Sequence, residues 1–172
     1  MTQARPAYVV TELQPADAAR YNEFLLRGVE QHPSTLRIAP SDVLGAPFST
    51  PNGPESATFV ARNSDGAWLG VVTVEREQGR LKRRHIAWVL RMYVDARSSG
   101  GGIGRALLGA AVARARSWQG VDKLNLTVAA QNERAVGLYG SAGFQVFARE
   151  EDAFRDEAPR TELTMSLSLR RP

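Results

Sequence analysis

Met92-Tyr93-Val94-Asp95-Ala96-Arg97-Ser98-Ser99-Gly100-Gly101-Gly102-Ile103-Gly104-Arg105 is the stretch where the hydrophobic period of the chain changes. Upstream, residues 83–94 (RRHIAWVLRMYV) are apolar on both alternating sets, the pattern of a central strand covered on each face. Downstream, residues 102–120 (GIGRALLGAAVARARSWQG) carry Ile103, Leu107, Ala111 and Trp118 along one helical stripe, with Arg105 and Arg116 opposite. A buried strand therefore runs through a glycine-rich turn into a helix. Glycine lets the backbone approach a bulky ligand, and the free N–H groups of a first helical turn, aided by the helix dipole, attract an anion, phosphate foremost. Two known phosphate signatures fail here: a dinucleotide fingerprint needs a third glycine where Leu107 stands, and a P-loop needs Lys-Ser/Thr where Ala110 follows Gly109. Taken alone, the junction also reads as a flexible turn ahead of a core helix.

On its N-terminal side, residues 7–13 alternate as a first strand, and Pro15 opens a helix with Ala18, Tyr21, Leu25 and Val29 at helical spacing, ended by His32-Pro33. Residues 33–55 are rich in Pro, Ser and Gly, with one short helical turn near residues 41–44 that Ser41 would cap. An irregular stretch of that length is a candidate substrate loop. Residues 56–63 and 67–77 then read as strands joined by tight turns to the strand at 83–94, an antiparallel meander. On the C-terminal side, residues 121–130 read as a strand, 131–143 as a short helix ending on glycine, 144–150 as a strand, 151–160 as a charged loop and 161–169 as a last alternating strand. The expected fold class is α/β: a mixed, mostly antiparallel central sheet of about seven strands flanked by helices, in one domain over residues 1–172.

A second motif starts 28 residues after Gly104, at Asn132-Glu133-Arg134-Ala135-Val136-Gly137-Leu138-Tyr139-Gly140-Ser141-Ala142-Gly143-Phe144. Asn132 stands at a helix start, where its ordinary task is capping, and Tyr139 lies on the same face two turns on, where a tyrosine is ordinarily a core residue. Taken together, the glycine-rich helix start after a strand end and the later Asn-x6-Tyr-x4-Gly-Phe resemble the GCN5-related N-acetyltransferase superfamily over roughly residues 85–149. That resemblance implies acetyl-CoA as co-substrate. It places the pyrophosphate on Ser99, Gly100, Gly101, Gly102, Ile103, Gly104 and Arg105, and the pantetheine arm on Met92, Tyr93, Val94 and Asn132. It also makes Tyr139 the acid that protonates the departing thiolate. The family turn usually opens with Arg or Gln, followed by two residues and Gly-x-Gly. With Gly102-Ile103-Gly104 as its centre, Ser99 fills that place; the rival register Arg97-x-x-Gly100-x-Gly102 restores the Arg.

The resemblance implies an N-acetyltransferase acting on a primary amine of a small molecule or peptide, with a catalytically silent CoA-binding module as the alternative. An ammonium with a pKa near ~10 must lose its proton before attack, yet residues 83–94 contain no carboxylate, and Thr127 stands where some family members have a glutamate. Glu75, Glu77, His85, Glu150 and Glu151 are the remaining candidates for the base. The resemblance implies that the first helix and its following loop, about residues 24–55, and the last strand pair around 150–160 face the acceptor; the acidic residues Glu150, Glu151, Asp152, Asp156 and Glu157 there suit a cationic amine or read as a solvated loop.

Composition sets the outer limits. The 172 residues include no Cys and two His, His32 and His85, so disulfides, a thiolate metal site and an acetyl-cysteine intermediate are excluded, and no metal is expected. Acetyl transfer should then run directly from CoA to amine in a ternary complex. The 22 basic residues are 20 Arg and 2 Lys, scattered rather than clustered, which argues against a nucleic-acid partner. Arg97, Arg105 and Arg134, beside the two motifs, are the ones expected near phosphate. No apolar run is long enough to cross a membrane, the first ten residues lack a signal-like pattern, and a cytoplasmic enzyme, monomeric or homodimeric, is expected.

Overall fold

The structure is a computed structural model describing residues 8–45 and 52–170. The strands are β1 (Tyr8–Glu12), β2 (Ser56–Asn63), β3 (Trp68–Arg76), β4 (Ile86–Val94), β5 (Lys123–Ala129), β6 (Gln145–Arg155) and β7 (Pro159–Ser168). The helices are α1 (Ala18–Gln31), α2 (Pro40–Gly45), α3 (Ile103–Ser117) and α4 (Glu133–Ser141). All seven strands join one sheet in the order β1-β2-β3-β4-β5-β7-β6, antiparallel throughout except between β4 and β5. The mixed, mostly antiparallel sheet with β4 at its centre bears out the expected class.

Each face of the sheet has its own core. Tyr21, Phe24 and Leu25 of α1 meet Val60, Val71 and Tyr93 on one face. Leu107, Leu108 and Ala111 of α3, with Tyr139 of α4, meet Phe59, Val72, Val74 and Leu126 on the other. Removing each large side chain from water contributes about 1.5–3 kcal/mol, so both helical layers are held by the same strands that carry the site.

The β4–β5 ladder is short. It covers Ile86↔Lys123, Ala87↔Leu124 and Trp88↔Asn125 and then stops. Beyond it β5 stays bound to β7 as far as Ala129↔Glu162. β4 instead stays with β3 through a bulge, where Arg91 has φ +48° and the register shifts between Val71 and Thr73. A bulge bends its strand and sharpens its twist. The two central strands therefore fork.

Three local readings are corrected. Residues 151–160 do not form a loop: β6 and β7 run through them as a hairpin, in which Arg149 and Arg155 neutralise Glu151 and Asp152 along β6 and Arg160 neutralises Asp156 at the turn. The helical turn starts at Pro40, with Asp42 Oδ2 accepting from Ala39 N at 2.7 Å, so Ser41 lies inside it and is not its cap. Residues 81–83 form a 3-10 turn before β4, with Arg83 bound to Glu77 and Arg84 to Glu55. Of the expected substrate loop, residues 46–51 lie outside the described residues. Among the described residues no helix is long and apolar enough to cross a membrane.

Candidate active site

The fork opens a cleft of about 640 Å³. Residues 89–94 of β4 form one wall and residues 126–129 of β5 the other, with the turn before α3 and the start of α4 completing it. Because the β4–β5 ladder ends at Trp88, alternate residues of β4 beyond it present backbone N–H and C=O groups to the cleft without a strand partner. Met92, Tyr93 and Val94 all line this edge. Tyr93 turns its ring to the α1 face, against Phe24 at 5.0 Å, and donates its hydroxyl to Gln31 Oε1 at 2.7 Å. Burial first, and then the charge of Asp95, push its pKa to about 12.

The turn after β4 is shaped by Asp95. Asp95 is 3% exposed, and its carboxylate accepts from Arg97 N at 3.0 Å and Arg97 Nε at 3.2 Å, which closes residues 96–98 into a 3-10 turn. Arg97 holds that carboxyl below the usual carboxylate range. Gly102 then caps α3 with φ +76°, a backbone that a side chain would strain. Gly104 lies where a Cβ would come within 3.2 Å of Leu138 and 3.6 Å of Met92, so its absence keeps the helix start clear between α4 and β4. Ser99, Gly100, Gly102, Ile103, Gly104 and Arg105 line the cleft; Gly101 sits in the same turn but off the wall. α3 begins at Ile103, so its first-turn N–H groups follow Gly102.

Asn132 and Tyr139 meet in the same cleft. Asn132 caps α4, its Oδ1 accepting from Ala135 N at 3.2 Å. Tyr139, 7% exposed, aims its hydroxyl at Met92 Sδ, 3.5 Å away, and burial raises its pKa to about 12. A thioether is a weak acceptor, so the phenol is protonated and only lightly held.

The charged groups sort differently from expectation. Arg105 and Arg134 line the cleft, whereas Arg97 is folded back onto Asp95 and does not. None of Glu75, Glu77, His85, Glu150 and Glu151 lines it. Glu77 is bound to Arg83 and to Trp88 Nε1 at 3.0 Å, and Glu151 is bound to Arg149 and Thr161. Four charged or titratable groups that sequence reading missed do line it: His32, Arg37, Arg91 and Glu162. Glu162 is 6% exposed and accepts from Arg37 Nη1 at 3.0 Å. Its alternation with Leu163 and Met165 marks it as a solvent-facing strand position. Its ion partner lies 125 residues away in the chain, and local periodicity carries no trace of that.

A family model described as "Acetyltransferase (GNAT) family" matches residues 26–144. Mycothiol acetyltransferase of Propionibacterium freudenreichii subsp. shermanii is 34% identical over 115 residues, which are 59% of this chain and 35% of that protein. L-amino acid N-acetyltransferase AaaT of Escherichia coli K12 is 32% identical over 82 residues, 48% of this chain and 49% of that protein. The chain thus matches between a third and a half of the length of these curated relatives. Among solved structures, a GCN5-related N-acetyltransferase from Kribbella flavida superposes with a TM-score of 0.80 at 26% identity, covering 94% of this chain and 98% of that one.

Proposed function

This chain belongs to the GNAT acetyltransferase family, and from that premise we propose that it is an acetyl-CoA-dependent N-acetyltransferase that moves the acetyl group directly to a primary amine. The observation that carries this reading is the meeting, in one cleft, of the glycine-rich helix start, the unladdered edge of β4 and the Tyr139 hydroxyl.

Acetyl-CoA fits the chemistry of that surface. The N–H groups opening α3, with Arg105 and Arg134 beside them, suit a pyrophosphate. The free edge of β4 from Met92 to Val94 and the amide of Asn132 suit the amide-bearing pantetheine arm. When bound, the co-substrate supplies an electrophilic thioester carbonyl and a thiolate leaving group. Backbone N–H groups near Met92 and Tyr93 receive the negative charge that develops on the carbonyl oxygen, and being fixed by the sheet they need no reorganisation. Tyr139 donates its O–H hydrogen bond to the sulfur as the C–S bond breaks. Complete proton transfer runs uphill, from a phenol at about 12 to a thiol of roughly 8.5, so Tyr139 contributes the hydrogen bond itself, and the proton that the amine gives up on attack passes through solvent to the thiolate.

The experiment is to bind acetyl-CoA calorimetrically and then follow free thiol while amines are added one at a time. Amine-dependent thiol release is expected. Binding without any amine-dependent release moves the assignment to a silent CoA-binding module, and absence of binding overturns the site.

A further inference from the structure

We propose that the acceptor carries a carboxylate beside its amine and that Arg37 receives it; this rests on the acetyltransferase reading above and names its second substrate class. Residues 32–38, between α1 and α2, cross the fork on the α1 face. At the β4 side the end of α1 is tied down by Gln31, whose Oε1 accepts from the Tyr93 hydroxyl at 2.7 Å. At the β5 and β7 side Gln131 Nε2 donates to Ser34 O at 2.6 Å, and Arg37 donates to Glu162. Asp156, on the β6–β7 turn, also hydrogen-bonds Ser34. Arg37 is thus held over the cleft by a strapped segment rather than by a free loop.

The charges around the cleft select the acceptor. Among the described residues lining it, Arg37, Arg91, Arg105 and Arg134 face a single carboxylate, Glu162, which Arg37 already neutralises. Arg105 and Arg134 stand at the helix starts, where the phosphates are read. Arg91 reaches Tyr21 on the α1 face. What remains for the acceptor is net positive, so a polyamine or an aminoglycoside meets repulsion, and an amine bearing an anionic group meets attraction. The acidic run at 150–157 does not alter this: Glu151, Asp152 and Asp156 are paired with arginines of the same hairpin, and neither Glu150 nor Glu157 lines the cleft.

The pair is built asymmetrically. The Glu162 side chain is 7% exposed and that of Arg37 is 57% exposed. Among the described residues the bond between them uses one guanidinium nitrogen, Nη1, and leaves the rest of a planar fork open, the geometry that matches a carboxylate in bidentate fashion. Glu162 is accordingly a positioning residue that holds the guanidinium, and Arg37 is the specificity residue. Leu36, Ile38, Leu90 and Val128 beside them give an apolar lining for an uncharged side chain. An α-amino acid with an apolar side chain has the required groups.

The test compares three probes with wild-type protein: L-methionine, L-methioninamide and spermidine, each at fixed saturating acetyl-CoA. L-methionine is expected to exceed the other two in kcat/KM by about ten- to hundredfold, the range of a charged hydrogen-bonded pair. Arg37→Ala should raise KM for L-methionine by about the same factor, with Arg37→Lys between the two, and should move KM for the amide by less than about threefold. Glu162→Gln should raise KM for L-methionine less than Arg37→Ala does. Retained acetyl-CoA binding shows that each variant is folded. Preference for the amide or spermidine, an unchanged KM in Arg37→Ala, or acetyl-CoA binding with no acetylation of the amino acid overturns the carboxylate assignment. Failure of the wild type to bind acetyl-CoA counts instead against the acetyltransferase reading.

Discussion

At the scale of single residues, Tyr139 carries two roles that sequence patterns ordinarily assign to different residues. Its ring belongs to the α3-side core, against Phe144 at 6.0 Å, while its hydroxyl points into the cleft at Met92. Removal of the hydroxyl alone separates the two. Tyr139→Phe should lower kcat about a hundredfold, the typical cost of one donor to developing charge, while acetyl-CoA affinity stays within about twofold. A steady-state assay beside a calorimetric titration checks both, and an unchanged kcat removes Tyr139 from the chemistry. The pH dependence follows from the same burial. With its pKa at about 12, the phenol stays protonated through the range in which a primary ammonium near ~10 loses its proton. The rate should therefore climb with pH to about 9.5 without an alkaline fall. A fall between pH 8 and 9.5 that disappears in Tyr139→Phe contradicts this assignment.

At the scale of elements, the site depends on how β4 ends. The bulge at Arg91 turns the strand away from β5, and Asp95 then ties the following turn so that Gly102 and α3 are delivered at the fork. Asp95→Asn tests that tie. It should destabilise the protein by about 1 kcal/mol at pH 7, the ordinary value of a hydrogen bond to a charged group less what Asn retains. Because Arg97 lowers the folded-state pKa of this carboxyl, its stabilisation is present above the usual carboxylate pKa and is lost as pH falls through the lowered value. The gap between wild type and variant, measured by urea unfolding, should thus narrow on going from pH 7 to pH 3. A gap that is constant or wider at pH 3 contradicts the ion-pair account. Element order and the glycine-rich helix start were legible in the sequence because each rests on local period or composition. The bulge was not, since Leu90-Arg91-Met92 has no residue that announces one. The hairpin through 151–160 was hidden as well, because its acidic side chains look like a loop until the arginines that pair with them along β6 and across the turn are placed beside them.

At the scale of the whole molecule, function comes from a sheet that stays joined at one end and parts at the other. The side of the cleft proposed for acetyl-CoA is assembled from neighbouring stretches of chain, residues 92–105 and 132–139, and so could be found by spacing. The side proposed for the acceptor is assembled from residues 32–38 and Glu162, which tertiary folding alone brings together, and spacing says nothing about them. With no Cys anywhere in the chain an acetyl-cysteine intermediate is excluded, and the direct transfer proposed above brings both substrates into the cleft together. The most direct test is mass spectrometry after reaction of wild-type protein with trideuteroacetyl-CoA and L-methionine. The account predicts one labelled acetyl on the amine nitrogen for each CoA thiol released, and an unlabelled protein; label on the protein, or thiol released without labelled amine, contradicts it.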